Sequence, residues 1–153
     1  MAISPNDTFT SGQILTAQEC NQFPFGIVAF QTDTATANYT SETVNITSTS
    51  FTAIANRYYR ITYYQPQLQI NAANGYSLIH IRKGTTTAGA IINRGFISNP
   101  TSGLPTSGTV SAVTTLTAGA QQVCATITST NTTSTNTSAS NIGYLLVEDI
   151  GPA

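Results

Sequence analysis

Tyr58-Tyr59-Arg60-Ile61-Thr62-Tyr63-Tyr64 is the stretch on which the fold turns. Successive side chains of an extended chain point to opposite faces, so Tyr59, Ile61 and Tyr63 share one face and Tyr58, Arg60, Thr62 and Tyr64 the other. Aromatic and β-branched residues at these positions suit a pleated, half-buried surface. Gln65-Pro66 must break this ladder or bulge it at an edge, because proline has no N–H to donate.

The same grammar extends in both directions. Upstream, Gly26-Ile-Val-Ala-Phe30 is a compact apolar run, and Val44 and Ile46 alternate with Thr43, Asn45 and Thr47. Downstream, Asn71-Ala-Ala-Asn74-Gly75 reads as a turn whose Asn-Gly pair suits positive φ. Strands are expected at Tyr76–Arg82 and at Ala90–Ile97, with Gly95 a candidate bulge. A loop from Asn99 to Pro105 precedes Val110–Thr117 and Gln122–Thr128, which read as a hairpin about Ala118-Gly119-Ala120. Thr130–Ser140, almost pure Thr, Ser and Asn, reads as a solvated loop, having nothing to bury. Ile142–Ile150 is a nearly continuous apolar run, the pattern of a central strand covered on both sides. About eight or nine strands with short turns predict an all-β domain, an antiparallel β-sandwich of jelly-roll type.

The start of the chain is different. Residues 1–15 show no periodicity and read as an extended arm with Phe9, Ile14 and Leu15 as apolar beads; residues 16–153 form the sandwich domain. Thr16-Ala-Gln-Glu19 is a capping-box pattern, and Pro24 limits the short helix it starts to about Phe23. Met1-Ala-Ile-Ser-Pro-Asn-Asp7 lacks a basic and an apolar region, so no signal peptide is expected.

Composition narrows function by exclusion. Charged residues are 7% of the 153, against roughly 25% in an average soluble domain, while Thr, Ser and Asn number 28, 14 and 12. A net charge of −1 lacks the Lys/Arg cluster that phosphate neutralisation or a polybasic membrane patch requires. No apolar run approaches the roughly 20 residues that span a bilayer. His80 is the single histidine, and Cys20 and Cys124 are 104 positions apart, so neither a metal nor a redox spacing is present. There is no phosphate loop and no G-x-S-x-G elbow. Glu148 and Asp149 are neighbours on a strand and point apart, so a glycosidase pair is not expected. No catalytic residue, metal or cofactor is assigned; the chain does not read as an enzyme.

Gly95 to Val147 contains no charged residue and no histidine. Strand edges are ordinarily guarded by charge, so an uncharged half of a domain predicts cover by identical subunits. Tyr58, Arg60, Tyr64 and Cys124 are the candidate partner-contact residues, the tyrosines joining a large apolar body to a polar tip. The tyrosines also suit a sugar platform, and Arg57 and Arg60 suit either pairing with Glu148 or Asp149 or stacking on rings; the sequence does not choose. His80 is expected to be structural and hydrogen-bonded. Cys124, sharing a face with Gln122, Thr126 and Thr128, is expected to be a free thiol beneath a subunit contact rather than bonded to Cys20. Asn-x-Ser/Thr matches at Asn6, Asn38, Asn45, Asn131 and Asn136 are what so much Ser and Thr produces by composition.

Three stretches carry a family resemblance: Ser11-Gly-Gln-Ile-Leu-Thr-Ala-Gln-Glu-Cys20-Asn-Gln-Phe-Pro-Phe25-Gly, Phe51-Thr-Ala-Ile-Ala-Asn-Arg57-Tyr-Tyr-Arg60-Ile-Thr and Leu145-Leu-Val-Glu148-Asp149-Ile-Gly-Pro152-Ala153. In that order and spacing the chain resembles small structural proteins of tailed bacteriophages, over nearly its whole length and chiefly at the centre and the ending. The resemblance implies a β-sandwich that trimerises on the phage particle. With no heptads, collagen-like repeats or shaft segments before the sandwich, the expectation is a capsid decoration (cement) protein. Its homotrimers would bridge capsomers of the major capsid protein on the head surface, after assembly in the host cytoplasm, with Phe9, Ile14 and Leu15 anchoring the arm. The alternative is a tail-fibre or receptor-binding head that contacts host surface glycan through loops around Asn99–Leu104 and Asn131–Asn141. Neither nucleic acid nor membrane is an expected partner.

Overall fold

In the computed structural model, which describes residues 12, 14, 20, 21, 23–99, 101–129, 132–135, 138 and 140–153, every element is a strand. They are β1 (Gly26–Asp33), β2 (Ala37–Tyr39), β3 (Thr43–Thr47), β4 (Phe51–Ala53), β5 (Arg57–Ile70), β6 (Gly75–Lys83), β7 (Ile91–Asn99), β8 (Pro105–Thr115), β9 (Gly119–Gln121), β10 (Val123–Ser129), β11 (Thr133–Thr135) and β12 (Gly143–Pro152). The arm and the short helix from Thr16 fall almost wholly outside the described residues, Phe9 and Leu15 included; Ile14, which is described, is exposed.

β5 is the spine. Along one flank it pairs with β8; along the other it pairs first with β12, over Arg57–Tyr64, and then with β11, over Leu68–Ile70. β1 continues the sheet beyond β12 and β2 continues it beyond β11, all antiparallel. The second sheet runs β3-β10-β6-β7, and β4 and β9 form a separate ribbon. The result is the expected antiparallel β-sandwich of jelly-roll type. Gln65-Pro66 does not end β5. The register with β8 slips between Gln65 and Leu68, a bulge placed where the opposite flank passes from β12 to β11.

The core lies between the sheets. Tyr59, Ile61, Tyr63 and Leu68 of β5, with Leu145 and Val147 of β12, face Ile79 and Ile81 of β6 and Val123, Ala125 and Ile127 of β10, all essentially buried. The alternation at Tyr58–Tyr64 therefore reads as expected, with Tyr59 and Tyr63 inward. Their hydroxyls are satisfied: Ile54 N–H donates to Tyr59 Oη at 2.8 Å, and Tyr63 Oη donates to the buried Gln65 Oε1 at 3.0 Å and accepts from Asn45 Nδ2 at 3.0 Å. The Asn74-Gly75 turn is also as expected, with Asn74 at φ 56°.

Three local readings are corrected. Val110–Thr117 and Gln122–Thr128 do not form a hairpin: β8 pairs with β5 and β10 with β3 and β6, so the chain changes sheets between them and residues 119–121 pair with β4 instead. Thr130–Ser140 is not wholly a solvated loop. β11 sits between β5 and β2, and Thr133 and Thr135 are completely buried because their hydroxyls find partners: Thr133 Oγ1 lies 2.7 Å from Ser77 Oγ, and Ala37 N–H donates to Thr135 Oγ1 at 3.1 Å. Gly95 pairs in register with Ile79; a Cβ there would lie 3.2 Å from Ile79 Cγ1, so the glycine answers crowding, and the irregularity falls between Ile81 and Arg82.

Candidate functional site: an aromatic sheet face

The outer face of the β8-β5-β12-β1 sheet is where the candidate contact residues gather. Register sets its rows. Tyr64 lies opposite Tyr144, which lies opposite Thr32; Thr62 lies opposite Leu146, which lies opposite Phe30; Arg60 lies opposite Glu148, which lies opposite Ile27. On the β8 side, Val113 lies opposite Arg60. The Tyr64 and Tyr144 rings are 5.4 Å apart and the Tyr144 and Phe30 rings 6.0 Å, so an aromatic row crosses three strands. Phe30 is 50% exposed, Ile27 65% and Val113 57%. Apolar residues this accessible on neighbouring strands of one face form a surface that water covers poorly in a monomer.

The charges on this face neutralise each other. Arg60 Nε donates to Glu148 Oε2 at 2.8 Å, a partly exposed pair in which the Arg60 hydrogen bond holds the Glu148 carboxyl below its ordinary range. The side-chain contacts settle what sequence left open: Arg60 meets Glu148, its partner in register, while Arg57, opposite Pro152, reaches Asp149 and also lies over the Phe25 ring at 4.0 Å. Glu148 and Asp149 point apart as expected, one outward and one buried.

Tyr58, Arg60 and Tyr64 thus share one face, Tyr58 half-buried beside Thr115 of β8. Cys124 does not join them. It belongs to β10 in the other sheet, is completely covered by its own chain, and points its thiol at the Thr86 carbonyl 3.7 Å away. Both cysteines are free thiols, Cys20 exposed. Sequence reasoning missed Phe30, Ile27, Tyr144 and Leu146, since nothing local says that β1 and β12 lie beside β5.

His80 is structural, as expected. It is buried on the outer face of the second sheet, with Nδ1 3.3 Å from Thr126 Oγ1 and 3.5 Å from Glu42. Glu42 in turn accepts from Arg82 Nε at 2.7 Å and from Thr126 Oγ1 at 2.6 Å. Burial pulls the imidazole below its ordinary value, with Glu42 opposing and Arg82 and Arg94 reinforcing. Among the described residues no group of three or more His, Cys, Asp or Glu side chains is placed to hold a metal ion.

The Arg57–Asp149 pair borders a cleft of about 420 Å³ lined by Asn21, Phe25, Ile54, Ala55, Asn56 and Pro152. Arg57 reaches from it to the Asn21 and Phe23 carbonyls, at 2.5 and 2.6 Å, and so fastens residues 21–25 against the sandwich.

No family model matches the chain, and no curated protein does. Solved structures do. The chain is similar to the Eiger TNF protein of S. frugiperda, at 11% identity and a TM-score of 0.55, over 85% of this chain and 95% of that one. It is also similar to the VP2 subviral particle protein of infectious bursal disease virus, at 8% identity and a TM-score of 0.44, over 81% of this chain and 41% of that one. Identity so low speaks to architecture alone, and the 0.44 match carries no further weight. The first similarity agrees with the β-sandwich read from the strands.

Proposed function

We propose that this chain is a bacteriophage virion structural protein, a capsid decoration protein whose copies trimerise through the Phe30–Tyr144–Tyr64 face and bridge capsomers of the major capsid protein. The exposed aromatic row is the observation that carries the reading. Its composition is that of an interface core: aromatics at the centre, with its one acid and one base already paired. A three-fold ring is built from heterologous contacts, in which this face meets a different surface of the next copy. β8, which borders it and carries no charged residue, supplies a neighbouring surface without a charge to desolvate. The uncharged run from Gly95 to Val147 and the phage resemblance of the central and final stretches support the same reading. The mechanism is mechanical. Each copy adds a modest contact, and many copies around a shell multiply it. Phe9, Ile14 and Leu15 in the arm would anchor each trimer to the shell.

Light scattering of the full chain tests the association, and a gel count against the major capsid protein tests the location. A trimer that Tyr144→Glu converts to folded monomer, present in hundreds of copies per particle, is the expected outcome. Deleting residues 1–15 should leave a trimer that no longer decorates heads. A wild-type chain that stays monomeric at micromolar concentration would overturn the self-association. A few dozen copies or fewer per particle would move the protein to the tail.

A further inference from the structure

The outer face of the second sheet carries a different feature, which the self-association reading leaves unused. Tyr76 and Phe96 stack at 4.9 Å between centroids and 24° between planes, and both are exposed, Phe96 at 63%. β6–β7 register builds the surroundings: Ser98 lies opposite Tyr76 and Leu78 opposite Phe96, while Thr128 of β10 lies opposite Leu78. Arg94 stands two residues from Phe96 on the same face of β7 and is also exposed. The ion pairs among the described residues are Arg57–Asp149, Arg60–Glu148, Arg82–Glu42 and His80–Glu42, and none of them includes Arg94. The ensemble is an exposed shelf formed by a stacked aromatic pair, edged by two hydroxyls, with a guanidinium at one end that joins no ion pair among the described residues.

We propose that this shelf binds a carboxylated saccharide, of the hexuronate or nonulosonate type. One face of a pyranose ring is lined by C–H groups, which pack on the electron-rich face of an aromatic ring, and the opposite edge keeps its hydroxyls in water. Ser98 and Thr128 supply hydroxyls of the kind that orient a sugar. Arg94 sets the charge of the ligand: a planar, permanently charged fork, about 6.7 Å along the strand from Phe96, matches a carboxylate carried on a ring that rests over Phe96. The proposal does not depend on whether the protein sits on the head or the tail.

The test uses the full chain against immobilised oligogalacturonate and sialyl-oligosaccharide, with their methyl esters as neutral counterparts of the same rings. Binding of the acids, about tenfold weaker for the esters, is expected. Phe96→Ala should weaken acid and ester alike by about tenfold or more, and Arg94→Gln should erase the difference between them. Phe96→Ser serves as a second variant should the alanine protein melt early. No binding by wild type at millimolar sugar would overturn the proposal, as would binding unchanged in both Phe96→Ala and Arg94→Gln. Binding lost in Tyr144→Ala but kept in Phe96→Ala would place the saccharide on the other sheet and equally refute the shelf. A fall in oligomer mass for Phe96→Ala with no sugar bound by wild type would show the shelf to be a contact between copies, again against it.

Discussion

Arg57 and Asp149 are joined by two parallel hydrogen bonds, Nε to Oδ2 and Nη2 to Oδ1, each 2.6 Å, across β5 and β12. Asp149 Oδ1 also accepts from Gly151 N–H at 3.0 Å, and Arg57 Nη1 and Nη2 donate further to the Asn21 and Phe23 carbonyls. Both side chains are buried, so removing either partner strands the other charge. Arg57→Ala and Asp149→Ala should each cost about 3–5 kcal/mol, and the double variant much less than the sum. A double-mutant cycle from urea midpoints checks this.

The same pair sets an acid limit. Burial alone would raise the Asp149 carboxyl, but the Arg57 and Gly151 hydrogen bonds outweigh it and hold the group below its ordinary value of 3.8. The pair's contribution is complete above that value and disappears as pH falls through the lower, folded value. Acid unfolding of wild type should therefore show a loss below pH 3.8 that Asp149→Asn, already weakened, lacks.

His80 gives a second pH window. An unfolded chain protonates near 6.5, whereas the buried, folded imidazole does so only at lower pH. Stability is full above 6.5 and declines as the pH is lowered toward the folded value, because protons favour the unfolded state throughout that interval. His80→Gln should flatten the melting temperature between pH 7 and pH 5, leaving only the carboxylate losses further down. A thermal melt series decides it.

Thr133→Val removes a hydroxyl at almost constant volume. Ser77 Oγ, 2.7 Å away, and Ser129 Oγ, 2.6 Å away, lose a partner in a buried place. A loss of about 1–3 kcal/mol is expected, read as a lower urea midpoint with an unchanged slope.

The two cysteines should separate cleanly under a thiol reagent. Cys20 is exposed and reacts at once; Cys124 is covered, and burial raises its thiol pKa, so it waits for denaturant. One fast equivalent out of two is the expected titration.

Where the sequence proved legible, a two-residue period coincided with a core face, as at Tyr58–Tyr64; Ile142–Ile150, read as a central strand covered on both sides, is central but buries alternate residues only, its Tyr144, Leu146 and Glu148 face being half-open. Alternation is local and survives whatever partners a strand finds. Partner choice is not local. The turn signals at Ala118-Gly119-Ala120 look the same whether the next strand folds back or crosses to the other sheet, and here it crosses. Thr133 and Thr135 were illegible for another reason: a threonine buried with a partner and one in water have the same letter. The candidate face was half visible. Tyr58, Arg60 and Tyr64 follow from alternation, but Phe30, Tyr144 and Leu146 needed the register of β1, β12 and β5. Alternation puts Cys124 on the face away from Val123, Ala125 and Ile127, but that β10 belongs to the sheet opposite β5 has no local signal.

The clasp of Arg57 has a practical corollary. Phe25, Pro152 and the start of β5 meet at one pole, while the Asn71–Gly75 turn, the Gly103 loop and the Tyr76 end of β6 lie at the other. A fluorophore or surface tether attached after Ala153 would therefore leave from the pole opposite Tyr76, so a chip-bound preparation would present that aromatic stack to the flowing solution. Loop grafting at the distal turns would likewise display an insert facing away from the support, with the two packed sheets as its mount.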